Sequence, residues 1–181
     1  MALKTTVAVG NITNLSEARY CAGMGVQYLC FPAHRIDPKT FKEITGWVNG
    51  PTFIVDFSQI ENAQEAVHTY TTDHWLLSQI QYSKLHFSQE KKIFLDVRAN
   101  VFPIEIDTSR VSFIVVQEEQ LASFPREMSE KLLVTGDTKS LISKIECASV
   151  NGIWLEGTEE QRPGLKDYSN LETVFERLEK E

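Results

Sequence analysis

Residues 7–38 read VAVGNITNLSEARYCAGMGVQYLCFPAHRIDP, and this stretch decides the fold. A short apolar run ends at Gly10-Asn11, and a helix is predicted to follow Asn14, with Glu17 completing a capping box. A second apolar run, Tyr28 to Phe31, predicts the next strand. Strand, helix and strand within about 25 residues form a βαβ unit, so the two strands are expected to be parallel neighbours.

The rest of the chain continues this alternation of apolar runs and helical patterns. The further predicted strands are residues 52–57, 74–77, 93–97, 111–116, 131–134 and 152–155. With the first two strands, this pattern predicts an α/β fold, a small (β/α)8 barrel of the TIM type, formed by residues 1–181 as a single domain. An open α/β sheet with fewer strands is the alternative.

The barrel is predicted to be thin over its fifth and sixth strands. A chain of 181 residues is shorter than the roughly 200 residues usual for this fold. Residues 98–110 contain Pro103 and an alternating Ile104-Glu105-Ile106 but no helical stripe, so the helices after these strands are predicted to be lost or reduced. If Phe94 and Phe113 face outward, the wall exposes an apolar patch, and a homodimer that covers it is predicted.

Composition and charge narrow the class of protein. Hydrophobic residues make up 42% of the chain and charged residues 24%, as in ordinary globular proteins. The net charge of −7 argues against nucleic acid or an anionic membrane as a partner. The three cysteines follow no disulfide or zinc spacing, and no signal peptide or membrane-spanning run is seen. A cytoplasmic protein is therefore predicted.

Two segments near the ends of the chain resemble the phosphoribosylanthranilate isomerase family of tryptophan biosynthesis. In the first segment, three motifs occur in the same order and at nearly the same spacing as in the family. They are Ile12-Thr13-Asn14-Leu15, Ala22-Gly23-Met24-Gly25 and Arg35-Ile36-Asp37-Pro38. In the second, residues 152–159 (GIWLEGTE) and 163–167 (PGLKD) resemble the family's last strand and its Pro-Gly-Val-Lys-Asp tail. The resemblance implies a closed barrel whose first and last strands are adjacent and parallel.

The resemblance also implies a reaction, the Amadori rearrangement of a ribosyl phosphate amine. This reaction needs a general acid and a general base at the carboxyl ends of the strands. The family's catalytic cysteine falls on Gly10, or on Val9 with one insertion, and its aspartate in strand eight falls on Trp154. Gln117-Glu118-Glu119 replaces the catalytic aspartate and glycine-rich loop after strand six. Because an acid or base is typically worth about 10²–10⁴ in rate, little isomerase activity is expected.

Substrate-binding positions are kept better than catalytic ones. The resemblance assigns substrate binding to Asn11 and Arg35, with the Arg35 guanidinium on a carboxylate. The alternative for Arg35 is a solvated side chain beside Asp37.

The resemblance assigns phosphate binding to Gly136, Gly157 and Thr158, through backbone N–H groups after strands seven and eight. Asp137 and Glu156 stand next to this cradle. At about 4 Å and an effective dielectric constant of about 20, each carboxylate would oppose a phosphate monoanion by about 4 kcal/mol. Tight phosphate binding is therefore not expected.

Three carboxylates offer a different chemistry. Asp56, Asp96 and Glu156 lie near the ends of predicted strands three, five and eight, and together they could form a new acid–base or divalent-metal cluster. The alternative is that one or two of them are caps or point outward. No metal-ligand spacing and no cofactor motif is seen, so no cofactor is predicted. Cys30 is interpreted as core packing.

Two functional hypotheses follow. The first is a catalytically silent relative of the isomerase family that binds a small anionic ligand or a protein partner. The second is an enzyme, either an active isomerase or one acting on a related sugar phosphate through Asp56, Asp96 or Glu156. The fold alone does not decide between them. The replacement of three catalytic positions favours the first.

Overall fold

Eight parallel strands close into a barrel, each hydrogen-bonded to the next one in chain order. The structure is a computed structural model that describes residues 2–86, 90–99, 107–137, 140, 141, 143, 150–157 and 167–179. The strands are β1 (Thr6–Gly10), β2 (Tyr28–Pro32), β3 (Thr52–Asp56), β4 (His74–Ser78), β5 (Lys92–Asp96), β6 (Val111–Gln117), β7 (Leu132–Thr135) and β8 (Gly152–Glu156). The predicted (β/α)8 barrel is confirmed, and the open sheet is excluded.

The first and last strands close the barrel. β1 pairs with β8 in parallel along its whole length, with Val7 opposite Ile153 and Val9 opposite Leu155. Gly152 permits this contact, because a Cβ atom at this position would lie 2.2 Å from the carbonyl oxygen of Thr6. The closure implied by the terminal segments is therefore confirmed.

Helices cover most of the barrel. They are α1 (Leu15–Gly23), α2 (Pro38–Thr45), α3 (Ala63–Ala66), α4 (Gln79–Lys84) and α5 (Ser169–Leu178), and residues 140, 141 and 143 are also helical. The Asn14 side chain caps α1 by accepting the Glu17 N–H at 2.9 Å. Asp37 caps α2, with Pro38 in the first turn. None of the helices in these ranges is long and apolar enough to cross a bilayer.

The connection after β6 is reduced, as predicted, whereas most of the connection after β5 lies outside the described residues. Two short 3₁₀ helices, Glu118–Ser123 and Arg126–Lys131, stand where a covering helix would follow β6. Their partly buried Leu121, Phe124 and Met128 pack against the core. The predicted covering residues Phe102, Ile104 and Ile106 lie outside the described residues.

Phe94 and Phe113 do not face outward, so the condition for an apolar patch at these two residues is not met. Both side chains point into the barrel, where Phe94 is fully buried and their ring centroids are 5.1 Å apart. The alternation of side chains along a strand explains this, because the outward positions are held by Ile93 and Ile114, which are buried in the outer core.

The barrel interior forms its own apolar layer, which supports the candidate site. Its buried members are Ala8, Cys30, Ile54, Leu76, Phe94, Val115, Leu133 and Trp154. Because side chains alternate along a strand, the residues two positions closer to its carboxyl end also face the barrel interior. Gly10, Asp56, Asp96 and Glu156 occupy four of these positions.

Candidate functional site

A cavity of about 370 Å³ opens at the carboxyl ends of the strands. Its lining includes Asn11, Arg35, Asp56, Arg98, Trp154 and Glu156. The structure thus brings four of the residues singled out in the sequence, Asn11, Arg35, Asp56 and Glu156, to one place. Asp96 joins them through its contacts with Arg98, a residue that the sequence did not single out.

Arg98 is the centre of the polar network. Its Nε and Nη2 atoms donate to the two carboxylate oxygens of Asp96 at 2.9 and 2.8 Å. Its Nη1 atom donates to Glu156 across the mouth of the barrel, and its Cζ atom lies 5.6 Å from the ring centroid of Trp154. Burial lowers the pKa of Arg98, but the hydrogen bonds and charges of Asp96 and Glu156 outweigh this effect and raise it. Arg98 therefore stays charged and engages two of the three predicted carboxylates.

The guanidinium of Arg98 lies between Asp96 and Glu156, two of the three carboxylates of the predicted cluster. In the part of the chain that the structure describes, no three His, Cys, Asp or Glu side chains form a group that could hold a metal ion. The positive charge at the centre of this site is thus supplied by the chain itself. The sequence shows only that Arg98 follows the strand-ending Asp96 by two residues, which places it near the carboxyl end of β5.

Asp56 also lines the cavity, but it is not one of the two carboxylates, Asp96 and Glu156, that hydrogen-bond to Arg98. Its Oδ1 atom accepts the N–H of Ser58 at 2.7 Å. Burial raises the pKa of Asp56, and the charge of Asp96 adds to this rise, while Ser58 and Arg98 oppose it. The neighbouring Cys30 is also buried, and burial raises the pKa of its thiol well above the ordinary value. Cys30 thus packs as a neutral thiol in the barrel interior, whereas Asp56 is a carboxyl group that could exchange a proton within the cavity.

Trp154 fills the space next to Gly10. A Cβ atom at Gly10 would lie 2.9 Å from both Cζ2 and Nε1 of the indole and 2.7 Å from Oε2 of Glu156. The indole is held in place because its Nε1 atom donates to Oε1 of Glu156 at 2.8 Å. The position that resembles the family's catalytic cysteine therefore has neither a side chain nor room for one.

Asn11 and Arg35 meet at the rim of the cavity. The Nη1 atom of Arg35 donates to Oδ1 of Asn11 at 3.1 Å, and Nδ2 of Asn11 donates to the carbonyl oxygen of Gly157 at 3.3 Å. Asn11 has a φ of 55°, in the left-handed region that asparagine tolerates better than most residues. The side chain of Arg35 is exposed, so a ligand that enters the cavity passes it.

The two glycines assigned to phosphate binding both lie against carboxylates. The N–H of Gly157 donates to the carbonyl oxygen of Gly10 at 2.8 Å, and a Cβ atom at Gly157 would lie 2.5 Å from Oε1 of the buried Glu17. A Cβ atom at Gly136 would lie 2.8 Å from Oε2 of Glu118. A phosphate placed at either glycine would therefore lie against carboxyl oxygens. Thr158, the third residue of this predicted site, lies outside the described residues.

The barrel is similar to solved phosphoribosylanthranilate isomerases. TrpF from Jonesia denitrificans has 12% identity and a TM-score of 0.66, with 96% of each chain covered. Monomers generated from the dimeric phosphoribosylanthranilate isomerase of Thermotoga maritima have 13% identity and a TM-score of 0.62, over 96% of this chain and 98% of theirs. A phosphoribosylanthranilate isomerase in complex with reduced 1-(o-carboxyphenylamino)-1-deoxyribulose 5-phosphate has 14% identity and a TM-score of 0.58, over the same shares.

The sequence itself matches no protein-family model and no curated protein. At these identities the structural similarity establishes the fold, which is that of phosphoribosylanthranilate isomerase, as the terminal segments implied. It does not establish the activity, because one barrel fold serves many reactions.

Proposed function

We propose that this chain is a catalytically silent barrel of the phosphoribosylanthranilate isomerase type that binds a small carboxylate-bearing ligand at its carboxyl-end cavity. The observation that carries this proposal is the contact between Gly10 and Trp154, because it removes both the general base and the space for one. The indole at position 154 replaces a carboxylate that the resemblance would require there.

The remaining acidic groups give little support to the isomerase reaction. Asp96 and Glu156 are both hydrogen-bonded to Arg98. Glu118, which follows β6, accepts a hydrogen bond from the hydroxyl of Ser140 and lies over Gly136. A general acid or base must reach the proton that it transfers, and these three groups are held by partners of their own.

The ligand class follows from the rim and the walls of the cavity. Arg35 supplies an exposed guanidinium, which suits a planar carboxylate. Pro32, Cys30 and Trp154 supply apolar surface below it. A volume of about 370 Å³ suits a small aromatic or aliphatic acid. A phosphorylated ligand is less suited, because Glu17 and Glu118 lie where its phosphate would be placed.

Asp56 favours the second candidate function, an active isomerase or an enzyme acting on a related sugar phosphate. A half-buried carboxyl group with a raised pKa in a cavity is typical of a general acid or base. Asp56 alone supplies one proton-transfer group, whereas the isomerase reaction needs two.

Two experiments test the proposal. The first is growth of a tryptophan auxotroph that lacks the isomerase, in which this chain is expected not to restore growth. Robust growth would replace the silent-barrel proposal with the enzyme. The second is calorimetric titration with anthranilate and with the reduced carboxyphenylamino deoxyribulose phosphate. The phosphorylated compound is expected to bind more weakly than anthranilate, because its phosphate would meet Glu17 and Glu118 instead of a cradle of N–H groups.

The titration has a matched control. Arg35→Gln is expected to weaken anthranilate binding about tenfold, the effect of losing one charge-assisted hydrogen bond. Arg126→Gln removes an equally exposed arginine outside the cavity and is expected to leave binding unchanged. Equal affinities of the wild type and Arg35→Gln would show that the ligand does not bind at this rim.

We also propose that the chain forms a homodimer through the side of the barrel near β5. Ile80 on α4 is 66% exposed. On the same helix, the hydroxyl of Tyr82 donates to the carbonyl oxygen of Asp107 at 2.9 Å, which places α4 beside the connection that leads into β6. A protein partner of another kind could cover the same surface, and the oligomeric state of the pure chain separates the two cases.

A further inference from the structure

A second cavity, of about 270 Å³, lies on the opposite face of the barrel, at the amino ends of β5 and β6. Its described lining consists of Lys91, Lys92, Ser109, Arg110, Val111 and Ser112. Lys92 is the first residue of β5 and Val111 the first residue of β6, so the cavity lies at the end of the barrel away from the candidate site. None of these lining residues is acidic.

The local charge is opposite in sign to that of the whole chain. Lys91, Lys92 and Arg110 line the cavity, and Lys131 lies next to it, with its Nζ atom donating to the carbonyl oxygen of Thr108 at 3.0 Å. The chain as a whole has a net charge of −7. A cationic cavity on an acidic protein attracts small anions while the rest of the surface repels polyanions such as nucleic acid.

Two carboxylates accompany these cations, and both lie at the rim. Asp73 contacts Nζ of Lys91, and its side chain is 68% exposed. Asp107 is exposed, and its pKa is lowered by its hydrogen bonds with Ser109 and by the charges of Arg110 and Lys131. Among the described residues, four cationic side chains stand against these two carboxylates, so the described part of this region is positively charged. The exposed Glu90 precedes Lys91 in the chain but does not line the cavity.

The cavity is also held in shape. Lys91 lies with its Nζ atom 5.0 Å from the ring centroid of Trp75, and this atom also donates to the carbonyl oxygen of Thr72 at 3.4 Å. The hydrogen bond from Lys131 fixes the connection that carries Ser109 and Arg110. Cations whose positions are set before binding lose less conformational entropy when they meet an anion.

We propose that this basic cavity binds the phosphoryl or pyrophosphoryl group of a small molecule. A dianion suits this cationic lining, and the hydroxyl of Ser112 adds a neutral donor of the kind that phosphate oxygens accept. A monocarboxylate carries less negative charge and is attracted less strongly to the same cations. The site is separate from the candidate site, so its ligand need not be a substrate.

Titration with inorganic pyrophosphate, with orthophosphate and acetate for comparison, tests this inference. Pyrophosphate is expected to bind most tightly and acetate most weakly. The affinity is expected to fall when the NaCl concentration is raised from about 50 to about 200 mM, because the attraction is electrostatic. Backbone amide shifts of residues 91, 92 and 109–112 on addition of pyrophosphate would locate the site.

Lys92 and Arg110 are exposed, so Lys92→Gln with Arg110→Gln can be made with little effect on folding. The double variant is expected to lose at least about tenfold in affinity. Lys39→Gln, which removes an exposed lysine on α2, is expected to change nothing. No saturable binding by the wild type at millimolar pyrophosphate, or equal affinities in the wild type and the double variant, would overturn the proposal. Neither result bears on the carboxylate ligand of the candidate site.

Discussion

The indole of Trp154 occupies the space that a side chain at Gly10 would need. These residues lie on β1 and β8, the two strands that close the barrel, and Ala8 pairs with Trp154 in register. A Cβ atom at Gly10 would approach two indole atoms to 2.9 Å, far inside van der Waals contact. A glycine at position 10 and a tryptophan at position 154 therefore depend on each other. This pair stands at the two positions where the resemblance would place the family's catalytic cysteine and its aspartate of strand eight.

Gly10→Ala is expected to destabilise the wild-type chain by about 1–3 kcal/mol, because the added methyl group overpacks against the indole. In the background of Trp154→Leu, the same substitution is expected to cost less than about 0.5 kcal/mol, because the smaller side chain leaves room. Denaturant unfolding of the four proteins measures this coupling. Gly23→Ala is the control, since a Cβ atom at Gly23 meets nothing within 4 Å. Additive effects of the two substitutions would contradict the steric explanation.

Arg98→Met is expected to lower the free energy of unfolding by roughly 2–3 kcal/mol, because it leaves Asp96 and Glu156 without their shared cation. The loss is expected to be smaller than for a fully buried pair, since the Glu156 side chain is 44% exposed. Arg98→Lys should cost less, because it keeps the charge but loses the two-pronged contact with Asp96. Arg126→Met, at an exposed position, is expected to stay within about 0.5 kcal/mol. An equal loss in both methionine variants would show that the network adds no stability.

Asp56→Asn is expected to gain stability relative to the wild type as the pH rises from 4 to 7. Burial raises the pKa of Asp56 in the folded chain. Between the unfolded value of about 3.9 and this raised pKa, the folded chain binds more protons than the unfolded chain, so wild-type stability falls with rising pH. Asparagine does not titrate and keeps an oxygen that can accept the Ser58 N–H. Thermal unfolding at several pH values measures the difference.

Asp73→Asn serves as a control of opposite sign for this experiment. The hydrogen bond from Lys91 and its charge lower the pKa of Asp73, so the wild type gains stability relative to this variant as the pH rises through the carboxyl range. If Asp56→Asn and Asp73→Asn changed with pH in the same direction, the assignment of a raised pKa to Asp56 would be wrong.

Light scattering at high micromolar concentration is expected to show a dimer, and Ile80→Glu is expected to convert it into a monomer by placing a charge in the contact. Trp47→Ser is the matched control, because Trp47 is 68% exposed and follows α2, away from the proposed contact. A wild-type chain that remains monomeric at this concentration would refute the homodimer.

The barrel can be predicted from the sequence because short local patterns indicate its strands and the pairing of its first and last strands. Each short apolar run is flanked by turn and cap residues, and Asp37 with Pro38 predicts the start of α2 without tertiary information. The direction of Phe94 could not be predicted in the same way. In a parallel sheet buried on both faces, Ile93-Phe94-Leu95 is apolar throughout, so alternation gives no sign of which residue faces inward.

The candidate site was predicted only in part. Asp56, Asp96 and Glu156 each end a strand, so their arrival at one mouth follows from the barrel topology. The role of Arg98 does not follow from the topology. It depends on a side chain that reaches from the end of β5 to β8, and these two strands are not neighbours in the sheet. The filling of the Gly10 position by Trp154 depends on interatomic distances that a residue pattern does not contain.

The pairing of β1 with β8 has a consequence for the chain during its synthesis. Thr6 and Gly152 are register partners, so β1 meets its second neighbour only after most of the chain has been made. Thr5 and Asn151, which hydrogen-bond just before these strands, are 146 residues apart. At about 5–20 residues per second, one edge of β1 stays unpaired for roughly 7–30 s on the ribosome. During this time the nascent chain exposes an unpaired strand edge that could pair with another chain. We therefore expect a chaperone that binds nascent chains to act mainly at β1.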